Sequence, residues 1–175
     1  MIDPQFGDDF ELLFESEFSR LFRYLAGLTG DADLAADLAQ EAFVRLYRRA
    51  SRPEDPGAWL VSVAMNLFRN VRTTESRRAR LLALGASAGA VSRPTGSVDA
   101  STRDPEEAER CARVRATLDC LPERDRRILL LRAEGYSYRE IATAIELAES
   151  GVGTLLARAR QAFRTTWEEH QHAPR

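Results

Sequence analysis

The side chains able to do chemistry are few in kind. Cys111 and Cys120 are nine residues apart, about half a turn around the axis of one predicted helix, so they cannot chelate one ion from it. Cys111 is placed in the core, and His170 and His172 fall in a tail expected to fray. No glycine-rich phosphate loop, nucleophile elbow or ordered Ser/His/Asp set is present. The carboxylates are spread over helix faces rather than gathered at one point. No catalytic residue, metal, cofactor or small-molecule substrate is therefore expected, and the chain does not read as an enzyme. What remains is arginine: all 25 basic residues are Arg. Its planar guanidinium suits phosphates and base edges, although GC-rich coding would produce the same bias.

The 27 acidic residues leave a net charge of −2, but the charge is unevenly placed. Residues 1–42 hold two Arg against ten Asp and Glu, while residues 43–80 hold nine Arg against three acids. An acidic block followed by a basic one suggests two partners of opposite character on one module. With 175 residues, 44% of them hydrophobic, the chain suffices for one medium domain or two small ones. No apolar run approaches the roughly 20 residues of a membrane span, and the N-terminus is acidic where a signal peptide is basic. Two cysteines leave a reducing compartment as the default. Direct membrane insertion is not expected; a cytoplasmic protein is.

The elements that must position these side chains are helices throughout. Phe10, Phe14, Phe18, Leu21, Leu25 and Leu28 recur at spacings of three and four, which predicts a helix over 5–29 with these residues on one face. Gly30 closes it and Asp31 caps the next, over 32–50, where Leu34, Leu38, Ala42 and Leu46 form the stripe with Phe43 and Tyr47 beside it. Residues 51–55 read as a loop. Asp55-Pro56 opens a third helix to about Leu82, burying Leu60, Ala64, Leu67 and Val71. Residues 83–103, rich in Ala, Gly, Ser and Thr, read as a flexible linker.

Asp104-Pro105 restarts helix, with Ala108, Cys111, Val114 and Leu118 on one face. Pro122 opens another helix that Gly135 ends. Ser137-Tyr138-Arg139-Glu140 is a capping box for a short helix to Ile145, and a last helix runs from about Ser150 to Glu168. No segment alternates like a strand. The fold class is all-α: two small helical domains joined by a flexible linker, the second a helix-turn-helix domain. In that motif Ile141, Ala142, Ile145, Leu147, Val152, Leu156, Ala159 and Phe163 point inward. Ser150, Gly153, Thr154, Ala157, Arg158 and Gln161 face out, as on a helix that enters a DNA major groove. A plain antiparallel helix pair fits the same pattern.

The stretch LPERDRRILLLRAEGYSYREIATAI, followed by Arg158-Ala159-Arg160, closely resembles the −35-binding region of sigma-70 family transcription initiation factors. RLFRYLAGLTGDADLAADLAQEAFVRLYRR resembles the family's polymerase-docking region, and WLVSVAMNLFRNVRTTESRRARL is similar to the region that opens and reads the −10 element. Order and spacing match the short, two-domain extracytoplasmic-function (ECF) group, over about residues 8–168. The resemblance implies region 2 over 5–82, the linker over 83–103 and region 4 over 104–169. It implies a factor that binds core RNA polymerase, directs it to −35/−10 promoters and assists their opening.

Residue by residue, the resemblance assigns polymerase docking to Asp37, Gln40, Glu41, Val44 and Arg48, which share one helix face. It assigns the −10 element to Asn66, Arg69, Asn70, Thr73 and Arg77, widened by Arg72, Arg78 and Arg80. Arg52 belongs to the loop that would hold an unstacked base. The −35 contacts fall to Tyr138, Arg139, Ser150, Thr154, Arg158 and Arg160. An anti-sigma factor, membrane-bound or soluble, is implied as a further partner, and no additional C-terminal domain is expected.

Departures from the family pattern predict a weak −35 grip. Glu146 fills the turn position where Gly is usual, Ala148 replaces the usual Ser cap so that Ser150 would cap instead, and Gly151, Gly153 and Leu155 stand where Thr, Lys and Arg are common. Aromatic residues near the −10 face are limited to Trp59, assigned to the core, and Phe68, which implies weak intrinsic melting. Two other readings stay open: a stand-alone DNA-binding regulator, and a helical interaction protein that no longer binds DNA.

Overall fold

The computed structural model describes residues 4–85 and 104–172, with side chains from 9 to 80 and from 104 to 170. These residues form seven helices and, among them, no strand. Local chemistry sets most of the boundaries. Helix α1 (Pro4–Thr29) ends at Gly30, whose φ of +72° only glycine adopts freely. The Asp31 carboxylate accepts from the Leu34 N–H at 3.0 Å and opens α2 (Ala32–Arg49), which Ala50 ends in left-handed geometry at φ +52°. Asp55 accepts from the Ala58 N–H at 3.1 Å at the start of α3 (Pro56–Gly85). Helix formers at Leu82, Ala83 and Leu84 carry α3 three residues into the segment read as linker; residues 86–103 lie outside the described residues.

In the second half, Asp104 caps α4 (Pro105–Asp119), and Pro122 precedes α5 (Glu123–Ala133). Gly135, at φ +83°, turns the chain into α6 (Tyr138–Ala144), whose capping box is complete: Glu140 N–H to Ser137 Oγ at 3.2 Å, Ser137 N–H to Glu140 Oε2 at 2.7 Å. Helix α7 (Glu149–His172) starts one residue before Ser150, so Ser150 lies inside the helix and does not cap it. It also runs past Glu168. His170 is not frayed, because α4 lies along this end of α7 and the His170 ring meets the Thr117 hydroxyl at 3.2 Å and Cys120 Sγ at 3.9 Å. The His172 side chain lies outside the described ones.

Helices α1, α2 and α3 bury Leu21, Tyr24, Leu25, Leu38, Leu46 and Leu60 between them; α5, α6 and α7 bury Ile128, Leu131, Ile141, Val152 and Leu156. The expected stripe on α4 is not buried. Cys111 and Val114 are exposed and Thr117 is the residue that α4 buries, since α4 packs on the flank of α7 and never enters the core. The two helical groups do not stand apart: α1 packs on α5 and α3 on α6, and both cores belong to one continuous cluster. No described helix is long and apolar enough to cross a membrane.

Candidate nucleic-acid and protein interfaces

Helix α2 turns Ala35, Leu38, Ala39, Ala42, Phe43 and Leu46 inward. Its other face carries Asp37, Gln40, Val44 and Arg48, all exposed, and Glu41, half-buried and bonded to Arg45 at 2.9 Å one turn on. The five form one stripe, as their spacing requires. Beside this stripe lies a feature that the pattern of spacings did not locate. Helix α1 has 26 residues and α2 only 18, so the first turns of α1 overhang. Phe10 and Phe14 reach across the end of α2 to Phe43 and Tyr47, with ring centroids 5.2 Å apart for Phe10–Tyr47 and 5.0 Å for Phe14–Phe43. Together with Gln40, Val44 and Arg48 they line an open groove of about 350 Å³. Phe14, Val44 and Tyr47 are exposed at this corner, the kind of contiguous apolar surface that marks an interaction site. The signal in the sequence was the excess of aromatics on α1 over what α2 has length to cover.

On α3 the exposed stripe is Asn66, Arg69, Asn70, Thr73 and Arg77. Arg69 donates to Asn66 Oδ1 at 2.8 Å, and the Thr73 hydroxyl is turned back onto the Arg69 carbonyl. Arg72 leans over the Phe68 ring and pairs with Glu123 of α5 at 3.3 Å, and Phe68 itself is buried, so it offers no stacking surface. Trp59 is partly buried against the core, with Arg49 over its ring. Arg52 is exposed in the loop before α3.

The helix-turn-helix pair is α6 and α7. Glu146 in its turn takes φ +57°, the left-handed geometry that favours glycine. Tyr138 lies over the first turns of α7, its ring close to Gly153, with Arg132 above it. Tyr138, Ser150 and Thr154 are thereby exposed near one another. The predicted cations are less free. Arg139 bonds Glu54 at 2.7 Å, and Arg158 reaches the buried Asp125 carboxylate at 3.5 Å. Arg160 lies about 200° around α7 from Arg158, beside Leu129, Phe163 and Arg164, so these two do not share a face. Among the described residues no cluster of three metal-binding side chains occurs.

Residues 13–78 match the family model for sigma-70 region 2, and residues 111–163 match that for sigma-70 region 4. The RNA polymerase sigma-H factor of Pseudomonas aeruginosa is 30% identical over 165 residues, 88% of this chain and 83% of that one. The chain belongs to the ECF group of sigma-70 family RNA polymerase sigma factors. The ECF sigma factor SigL of Mycobacterium tuberculosis is likewise 30% identical, over 90% of this chain and 88% of its own. The fold is shared with the sigma factor RpoE of Bartonella quintana, solved with the anti-sigma factor NepR: TM-score 0.66 and 19% identity, covering 92% of this chain and 98% of that one. The sigma factor thus works in promoter-specific transcription initiation, with RNA polymerase and promoter DNA as its partners.

Proposed function

We propose that the sigma factor docks on core RNA polymerase through the α2 stripe of Asp37, Gln40, Glu41, Val44 and Arg48, with the groove at Phe10, Phe14 and Tyr47 taking an apolar side chain of the partner. The observation that carries this is the continuity of the two surfaces: Gln40, Val44 and Arg48 belong to both. A polar stripe beside a desolvated aromatic pocket is how protein interfaces combine specificity with affinity. The α3 stripe, with Arg52, faces the −10 element, and Tyr138, Arg139, Ser150, Thr154 and Arg158 face the −35 element. Arg160, on the opposite flank, contributes a phosphate contact at most. The modules correspond to 5–82 and 104–169, joined through residues 83–103, of which the first three continue α3.

The chain performs no bond chemistry; the polymerase does. It acts in the bacterial cytoplasm, restrained by an anti-sigma factor of the kind that accompanies its Bartonella structural relative. Where that factor is membrane-bound, it holds the sigma factor there. Run-off transcription with core polymerase and the factor's own promoter tests the reading. Specific transcripts support it. DNA binding without core binding favours a stand-alone regulator, and core binding without promoter opening favours an interaction protein.

A further inference from the structure

Where α4 meets the far end of α7, a thiol has a base beside it. Cys120 follows the last turn of α4 and is exposed, and its Sγ lies 3.9 Å from His170 Nε2 on α7. The other ring nitrogen, Nδ1, lies 3.2 Å from the Thr117 hydroxyl. That hydroxyl has a single proton and donates it to the Arg113 carbonyl at 2.9 Å. Towards the ring Thr117 Oγ1 therefore only accepts. Nδ1 carries the proton of the neutral imidazole, and Nε2 turns its lone pair to the sulfur. Thr117 is fully buried, so its hydroxyl does not turn to water instead. The three side chains stand in the order hydroxyl, imidazole, thiol. That is a nucleophile, a base in reach of it and a third group that orients the base. Cys111 offers the contrast: it is exposed on the same helix, and among the described residues no imidazole meets it.

We propose that Cys120 is a site of thiol–disulfide exchange, with His170 as its base, Thr117 as the group that positions the base, and a small disulfide as the reactant. His170 Nε2 takes the S–H proton as Cys120 Sγ attacks one sulfur of the incoming disulfide. The new S–S bond forms to Cys120, the old one breaks, and the departing thiolate leaves with the proton from Nε2. Cys120 is oxidised to a mixed disulfide and the departing half is reduced to a thiol, so the disulfide itself is the oxidant. The dipole of α4 lends no help, since Cys120 stands at its electronegative C-terminal end. Cys111 cannot take over the bond and release the adduct. It lies about 13 Å away along the helix axis at about 1.5 Å per residue, and a disulfide needs Cα atoms within about 7 Å. The adduct therefore persists until an external thiol removes it. It occupies the place of the imidazole, so it parts His170 from Thr117 and takes away a contact that holds α4 on α7.

The test compares the two thiols in the full chain, one at a time. Cys111→Ser leaves Cys120, and Cys120→Ser leaves Cys111. Each variant is treated near neutral pH with an excess of dithiodipyridine, an aromatic disulfide whose released thiopyridone is followed by absorbance. Cys120 is expected to react at least about tenfold faster than Cys111, a modest share of what a positioned base contributes. His170→Gln, added to Cys111→Ser, should bring Cys120 to within about threefold of Cys111. Thr117→Val keeps the shape without the hydroxyl and should slow Cys120, while Thr117→Ser keeps the hydroxyl and should restore the rate. A side chain that only filled space would give the reverse order. Circular dichroism and the melting midpoint check that each variant is folded. The comparison of the two thiols needs no change at His170 or Thr117, so it stands even if those variants fail to fold. Equal rates for the two thiols overturn the proposal. So does a Cys120 rate that His170→Gln or Thr117→Val leaves unchanged in a folded chain.

Discussion

Glu140 carries three duties on one carboxylate: it caps α6, accepts Arg20 and faces Glu17 across the domain boundary. Burial pushes its acidity towards the neutral form, but the Ser137 N–H and hydroxyl and the Arg20 guanidinium outweigh burial and hold it below the ordinary carboxylate range. Glu17 goes the other way, because burial outweighs its bond to Arg20 and raises it. A lowered native value stabilises above the unfolded value of 4.5 and is lost as pH falls through the folded one. The melting midpoint should therefore fall as pH drops below the unfolded value of 4.5, and Glu140→Gln should flatten that part of the profile. The raised Glu17 contributes with opposite sign and would survive the substitution. Glu146, at φ +57°, costs about 1 kcal/mol relative to an unstrained residue. Glu146→Gly should return roughly that amount, as a melting midpoint higher by a few degrees. Arg158→Ala leaves the buried Asp125 without its guanidinium and should cost about 1 kcal/mol in denaturant unfolding, whereas Arg160→Ala should not.

At the scale of elements, helix α7 has no capping side chain before it, since Ala148 stands there and Glu149 occupies the first turn. Ala148→Ser should stabilise the chain by about 1 kcal/mol. With Arg139 and Arg158 engaged and Arg160 on the far flank, few phosphates can be neutralised, and the logarithmic salt slope of binding to a −35 duplex should be no steeper than about −3. A slope beyond about −5 would mean a stronger grip than this surface supports.

The helices themselves were legible in the sequence because their boundaries are local chemistry: Asp31, Asp55, Asp104 and the Ser137–Glu140 box each act within four residues. Periodicity also told the outward stripe of α2 from its buried face; on α3 it found Leu60 and Ala64, but Leu67 and Val71 are only partly buried and Phe68, read as near the −10 face, is buried. It could not tell that α4 would lie outside the core and leave Cys111 exposed, because amphipathicity says which face is apolar and not whether a neighbour arrives to cover it. The overhang of α1 was hidden for the same reason. Phe10 and Phe14 share the periodicity of Leu21 and Leu25, and only the shorter length of α2 separates them.

For the whole molecule, the decisive relation joins Arg20 to Glu140, 120 residues apart. Nothing in either local pattern links them, so the sequence read as two modules on a tether while the structure closes them together. The central claim is that the outer face of α2 is what the polymerase holds. Its most direct test is the affinity of the full chain for core polymerase with Asp37→Ala and Gln40→Ala combined. Both positions are exposed, so the variant should melt where the unmodified chain does. Affinity at least about tenfold weaker, some 1.4 kcal/mol, is the predicted result. Unchanged affinity in a folded variant would contradict the account.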